Sequence, residues 1–173
     1  MKMKIDDIPR FIRQADYCID ASFDDLYCWI ERQQNQQNLN LDPDFQRGHV
    51  WTEEQQIAYI EFILAGGYTG KDLYFNHPGW RDSYKGDFVL VDGKQRLLAI
   101  TKFTNNLIPA FGTYLKEFDE PEVLLRRYGV KIHVNNLQTR KECLKWYIQF
   151  NEGGTPHTKS EIDKVKDLIK LEK

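Results

Sequence analysis

Hydrophobic residues recur every three to four positions in several segments of the chain, which is the spacing of an amphipathic helix. Two of these segments follow a hydroxyl residue that has a carboxylate or amide three positions later, Ser22 with Asp25 and Thr52 with Gln55. That spacing is typical of a capping box at a helix start. The pattern predicts helices that begin after Ser22, after Thr52, at Lys94, near 120, after Thr139 and near 158.

Four shorter segments have the composition of strands. DLYFN (72–76) and DFVLVDG (87–93) flank the turn-rich HPGWRDSYKG, so we expect them to form a hairpin. The apolar run 88–91 predicts a central strand that is buried on both faces. LIPAF (107–111) and GVKIHVNNL (129–137) are the other expected strands.

These elements predict an α+β fold in which helices surround a small mixed sheet. We expect one domain over 1–173, with 1–21 as an N-terminal extension, because the chain shows no repeat and no linker.

Composition and charge exclude several classes of protein. The 173 residues are 41% hydrophobic, 13% aromatic and 29% charged, as in ordinary globular domains. No apolar run approaches the ~18–20 residues that a membrane span needs, so we expect no membrane association. The formal charge of -2 excludes a protein that holds nucleic acid by bulk positive charge, although a local basic groove is still allowed.

Positive charge is denser in the last third of the chain, where a solvated helical surface is the simpler interpretation. If DNA binds there, we expect its phosphates to contact Arg126, Arg127, Arg140, Lys141 and Lys145.

The cysteines and the N-terminus suggest a cytoplasmic protein. Cys18, Cys28 and Cys143 form no C-x-x-C pair, and an odd number of cysteines does not suit a disulfide framework. We expect them to be buried or half-buried free thiols. The N-terminal MKMKIDDIPRF has no apolar stretch of the kind a secretory signal contains.

Candidate chemistry is densest where the strand VLVD meets the helix KQRLLAI. Helix-start amides bind anions, Gly93 allows close approach of a ligand, and Lys94 and Arg96 add cationic donors. Asp92 is suited to holding Mg²⁺ or orienting a water. The alternative is structural: Asp92 as N-cap, Gly93 as a turn residue and Arg96 as a solvated helix residue.

Two further stretches have a functional and a structural interpretation. In DFQRGHVW, Phe45 and Trp51 either stack a nucleotide base around Gln46 and Arg47 or anchor the segment to the core. In FNEGGTPHT, the glycines either form an anion nest or simply end a helix.

The order and spacing of these three stretches resemble the DGQQR-type domain, the N-terminal part of GmrSD-like type IV restriction enzymes and related phage-defence proteins in the ParB/sulfiredoxin superfamily. The resemblance covers roughly 22–170 and implies a ParB/sulfiredoxin-like fold. It also implies a domain of DNA-targeting systems that binds, and often hydrolyses, a nucleoside triphosphate.

Carried over to this chain, the resemblance matches Asp92, Gly93, Gln95 and Arg96 to the family's nucleotide-site motif. From the chemistry of these side chains we expect Asp92, Gln95 and Arg96 to be catalytic, with Mg²⁺ as cofactor at Asp92. Lys94 stands where the family usually has glutamine. A lysine can still bind phosphate, but it cannot accept a hydrogen bond from water, so hydrolysis stays an open question. The nucleotide-binding residues that the resemblance implies are Gln46, Arg47, Gly93, Lys94, Arg96, Asn151, Gly153, Gly154 and Thr155.

Two alternative functions stay open at this point. One is a non-enzymatic DNA-binding or inhibitory module on the same fold, and the other is a small metal-dependent nuclease that uses Asp92. We expect no C-terminal His-metal nuclease domain within these 173 residues. The expected partners are a nucleoside triphosphate and DNA, and a separate nuclease or regulatory subunit and a homodimer stay open.

Overall fold

The computed structural model describes residues 17–46, 51–152 and 159–172, with the backbone alone at 151–152 and 159–161. It confirms an α+β fold that has a four-stranded mixed sheet. The strands are β1 (Tyr17–Ser22), β2 (Asp72–Asn76), β3 (Val89–Asp92) and β4 (Gly129–Asn135). The helices are α1 (Phe23–Gln37), α2 (Glu53–Leu64), α3 (Lys94–Thr104), α4 (Pro121–Arg127), α5 (Arg140–Glu152) and α6 (Lys159–Leu171).

The strand order is β1-β4-β2-β3. β1 pairs with β4 antiparallel, β4 with β2 parallel, and β2 with β3 antiparallel, so the predicted hairpin is confirmed. β1 includes the last five residues of the segment 1–21, which the sequence predicts to be an extension, so the sheet begins earlier than expected.

Successive side chains of β3 supply the two cores that cover opposite faces of the sheet. Leu90 belongs to the larger cluster beneath α1 and α3, whereas Val91 belongs to a smaller cluster with α5 and α6. The two-sided burial predicted for this strand is therefore confirmed. Its predicted central position is wrong, because β3 is the last strand of the sheet. The backbone of Asn40 bonds to Phe88 and Leu90 and covers part of this edge.

The predicted strand LIPAF is also wrong. Residues 107–111 form a tight loop that a single bridge between Ala110 and Thr113 closes, and Phe111 has a positive φ of 51°. Ile108 is buried while Leu107 and Phe111 are exposed, so the segment anchors the loop through a few side chains and joins no sheet.

Among the described residues, no helix is long and apolar enough to cross a membrane. The described cysteines are free thiols, as expected, but Cys18 and Cys28 are exposed and Cys143 alone of the three is buried.

Candidate functional site

The junction of β3 and α3 depends on Gly93. Asp92 ends β3, Gly93 has a φ of 104°, and α3 begins at Lys94. A Cβ at position 93 would lie 2.6 Å from Leu73 Cδ2 and 3.3 Å from the carbonyl oxygen of Asp72. Only glycine meets both requirements, because it adopts left-handed backbone angles without strain and has no Cβ to collide with β2.

The start of α3 has no side-chain cap. By contrast, Ser22 Oγ accepts a hydrogen bond from the Asp25 amide at α1, and Thr52 caps α2 in the predicted capping box. The N-cap of α3 is Gly93, so the interpretation of Asp92 as a structural cap is wrong. First-turn amides without a cap carry partial positive charge and are suited to an anion.

Two ion pairs flank this uncapped start. The Arg96 guanidinium binds the Asp92 carboxylate one turn back, and both side chains are less than a third exposed. The Lys94 ammonium binds the more exposed Asp42. The predicted cations are therefore present at the helix start, and in this state each neutralises a carboxylate of the same chain.

Two glutamines connect the first predicted stretch to this junction. Gln46 Nε2 donates a hydrogen bond of 2.7 Å to the Leu90 carbonyl, and the Trp51 amide donates one of 3.1 Å to Gln95 Oε1. The structure thus brings the ends of FQRGHVW against β3 and α3. Arg47 lies outside the described residues.

The two aromatic residues of this stretch differ. Phe45 is 4% exposed and packs on Tyr147, so it anchors the segment and cannot stack a base. Trp51 is only partly buried and contacts the Tyr59 ring at 5.3 Å, which keeps it available at the edge of the junction.

The third predicted stretch is described only at its beginning. Asn151 belongs to the last turn of α5, and this helix packs on β3. Gly153, Gly154 and Thr155 lie outside the described residues. Their contribution to the site therefore stays a prediction.

The structure adds polar residues that the motifs did not identify. His133 Nε2 lies 2.7 Å from Asp72 Oδ1, and the Tyr74 ring stacks on the imidazole with centroids 4.5 Å apart. Tyr74 is the strand partner of both Asp92 and His133. One face of the sheet thus carries a polar row from β3 to β4.

Electrostatics connect this row to the start of α3. Burial is the largest cause of the raised pKa values of Tyr59 and Tyr74, the carboxylate of Asp72 raises both further, and Arg96 lowers both. The Tyr59 hydroxyl donates to the carbonyl of Gly70 at 2.9 Å. Both tyrosines stay neutral at physiological pH, and Asp72 and Arg96 lie close enough to act on the same two side chains.

The five predicted nucleic-acid contacts do not form one surface. Arg140 makes ion pairs with Asp44 and Glu172, and Lys141 donates to the Glu172 backbone carbonyl. Lys145 is exposed on α5. Arg126 and Arg127 lie instead at the end of α4.

The described residues do not form a metal site of their own. They contain no cluster of three histidine, cysteine, aspartate or glutamate side chains suited to an ion. The Asp92 carboxylate, the predicted ligand, is bound by Arg96.

Comparison with known proteins adds one positive finding. A family model described as the N-terminal domain of the GmrSD restriction endonuclease matches residues 29–128. The match includes the FQRGHVW and VLVDGKQRLLAI stretches and ends before FNEGGTPHT. No curated protein and no solved structure shows a significant match. Because the family model covers more than half of the chain, this protein belongs to the family of GmrSD restriction endonuclease N-terminal domains and has its role in type IV restriction.

Proposed function

We propose that the domain binds a nucleoside triphosphate at the start of α3 and hydrolyses it in the course of DNA targeting. The observation that carries the proposal is the uncapped N-terminus of α3, which follows a glycine at φ 104° and has Lys94 and Arg96 in its first turn. Amides, a helix dipole and two cations in one place are complementary to phosphate oxygens.

In this proposal the backbone amides of 94–96 bind one phosphate group. The planar guanidinium of Arg96 binds two oxygens of a second phosphate group. These oxygens replace the Asp92 carboxylate on the same N–H donors. Lys94 exchanges Asp42 for phosphate in the same way. Once Arg96 binds phosphate, the Asp92 carboxylate would be free to hold Mg²⁺ together with the phosphate oxygens, and the ion would neutralise part of their charge.

Trp51 covers the nucleotide in this proposal. Gln95 binds the Trp51 amide, so α3 and the FQRGHVW stretch are coupled through one hydrogen bond. Gln95 therefore acts here as a positioning residue, since its carbonyl already has a donor. His133, which is hydrogen-bonded to Asp72, is a further candidate proton acceptor on this face of the sheet.

Thermal unfolding with each of the four nucleoside triphosphates and Mg²⁺ tests the binding step. A ligand at about 100 times its Kd stabilises the folded state by ~2.7 kcal/mol, which raises the Tm of a domain this size by about 5–10 °C. We expect Arg96→Ala to abolish the shift and Arg96→Lys to weaken it, because lysine keeps the charge and loses the fork. Arg32→Ala, an exposed arginine on α1, is the matched control.

Release of radiolabelled phosphate is the second measurement, and we expect it to fall strongly in Asp92→Ala and Arg96→Ala. A wild-type protein that neither shifts its Tm nor releases phosphate with any of the four nucleotides contradicts the proposal. So does a Tm shift that Arg96→Ala leaves unchanged.

A further inference from the structure

We propose a second binding site in this domain, a groove for a single strand of nucleic acid on the β1 side of the sheet. The groove has a volume of about 640 Å³. Its walls come from β1, the start of α1, the end of α4, the start of β4 and the segment that leads into β2. None of the residues predicted to bind nucleotide lines it, so the proposal goes beyond the nucleotide site.

The first observation is a set of cations without internal partners. The groove is lined by Lys71, Arg126, Arg127 and Lys131, and in the described part of the chain none of the four side chains makes an ion pair. Lys94, Arg96 and Arg140 are all paired. Phosphate binding at the groove therefore requires no internal ion pair to break.

The second observation is an aromatic ring at the rim. Tyr68 is 95% exposed, whereas most described tyrosines are at least half covered. It precedes Lys71 by three residues, and both residues line the groove. An exposed ring beside cations is the arrangement that binds single strands, because each unpaired base offers a face for stacking.

The carboxylates of the groove favour a single strand over a duplex. Asp20, Asp25 and Asp72 lie in the lining, Asp25 bonded to Ser22 and Asp72 to His133. Four cations against three carboxylates give a weakly positive surface. Such a surface suits one flexible strand better than the dense charge of a duplex, whose bases are also closed to Tyr68.

The experiment measures fluorescence anisotropy of a labelled 20-nucleotide single strand of deoxythymidylate over a range of salt concentrations. Each phosphate contact contributes about −0.7 to the slope of log K against log salt for a single strand, so four contacts give about −3. We expect Lys71→Ala and Arg127→Ala each to reduce the slope by about 0.7. Lys166→Ala, an exposed lysine of α6 outside the groove, is the control and should leave the slope unchanged.

Tyr68 separates stacking from simple charge attraction. We expect Tyr68→Ala to weaken binding about tenfold and Tyr68→Phe to retain it, because the ring and not the hydroxyl makes the contact. Tyr27→Ala removes an exposed tyrosine of α1 that does not line the groove, so it should have no effect.

Three results overturn the proposal: no binding of the single strand, equal or tighter binding of a duplex of the same length, and binding that Tyr68→Ala and Arg127→Ala leave intact. Arg96→Ala keeps this test independent of the nucleotide site. It should abolish the thermal shift with nucleotide while strand binding persists, so each site can fail without the other.

Discussion

At the scale of single residues, Gly93 joins the fold to the chemistry. Its backbone angle turns the chain from β3 into α3, and its missing side chain lets β2 approach to within van der Waals contact. The same turn leaves the first amides of α3 without a side-chain cap. The position is therefore constrained by structure before any ligand is considered.

Alanine substitutions at Gly93 and Gly66 separate backbone strain from crowding. Both glycines have positive φ, 104° and 91°, but a Cβ at Gly66 meets nothing within 4 Å. Gly66→Ala should cost the left-handed penalty of roughly 1–2 kcal/mol. Gly93→Ala adds a clash with Leu73, and we expect at least ~1 kcal/mol more. Urea unfolding measures both values, and equal losses for the two variants would contradict the role assigned to crowding.

At the scale of elements, α5 covers the sheet with one buried face. Cys143, Leu144 and Tyr147 face the smaller core, as the helical spacing predicts. Burial raises the pKa of the Cys143 thiol to about 12. Its chemical reactivity therefore reports whether α5 is docked on β3.

A thiol reagent such as DTNB tests this docking. We expect Cys18 and Cys28 to react at once in the native protein, because both are exposed, and Cys143 to react only after unfolding. Since burial raises the pKa of the Cys143 thiol, this thiol gains little thiolate between pH 7 and 9, and its reaction should stay slow over that range. The double variant Cys18→Ser, Cys28→Ser isolates the buried thiol, and its rapid reaction under native conditions would be the contrary result.

Local patterns predicted all six α-helices of the described residues, because caps such as Thr52 and apolar spacing act within one element. They did not predict which strand lies at the edge, since the apolar run of β3 is buried by helices and by Asn40 and not by strands on both sides. The Asp72–His133 pair was missed for a related reason. Its members lie 61 positions apart, and the parallel pairing of β2 with β4 brings them together. The signal that could have indicated this pair was a polar residue within each predicted strand, Asp72 in DLYFN and His133 in GVKIHVN.

At the scale of the whole molecule, the sheet lies between two cores of unequal size. The larger core contains β-strand residues such as Leu73, Phe75 and Leu90, and the smaller one contains Val91, Leu144 and Ile148. Adjacent residues of β3 enter opposite cores. Loss of the α5–α6 layer would expose one face of the strand that carries Asp92, so we expect the two cores to unfold together.

Leu144→Ala tests this cooperativity. Leu144 is fully buried in the smaller core, and its truncation should lower the free energy of unfolding by roughly 2–5 kcal/mol. Leu171→Ala, at a leucine of α6 that is 76% exposed, should change it by less than ~0.5 kcal/mol. Circular dichroism follows the whole chain and tryptophan fluorescence follows the rings of both cores. If the cores form one unit, both signals shift to the same lower urea midpoint with an unchanged slope. Two separated transitions would instead mean that the α5–α6 layer leaves the sheet while the larger core stays folded, and the α3 site would then depend on the larger core alone.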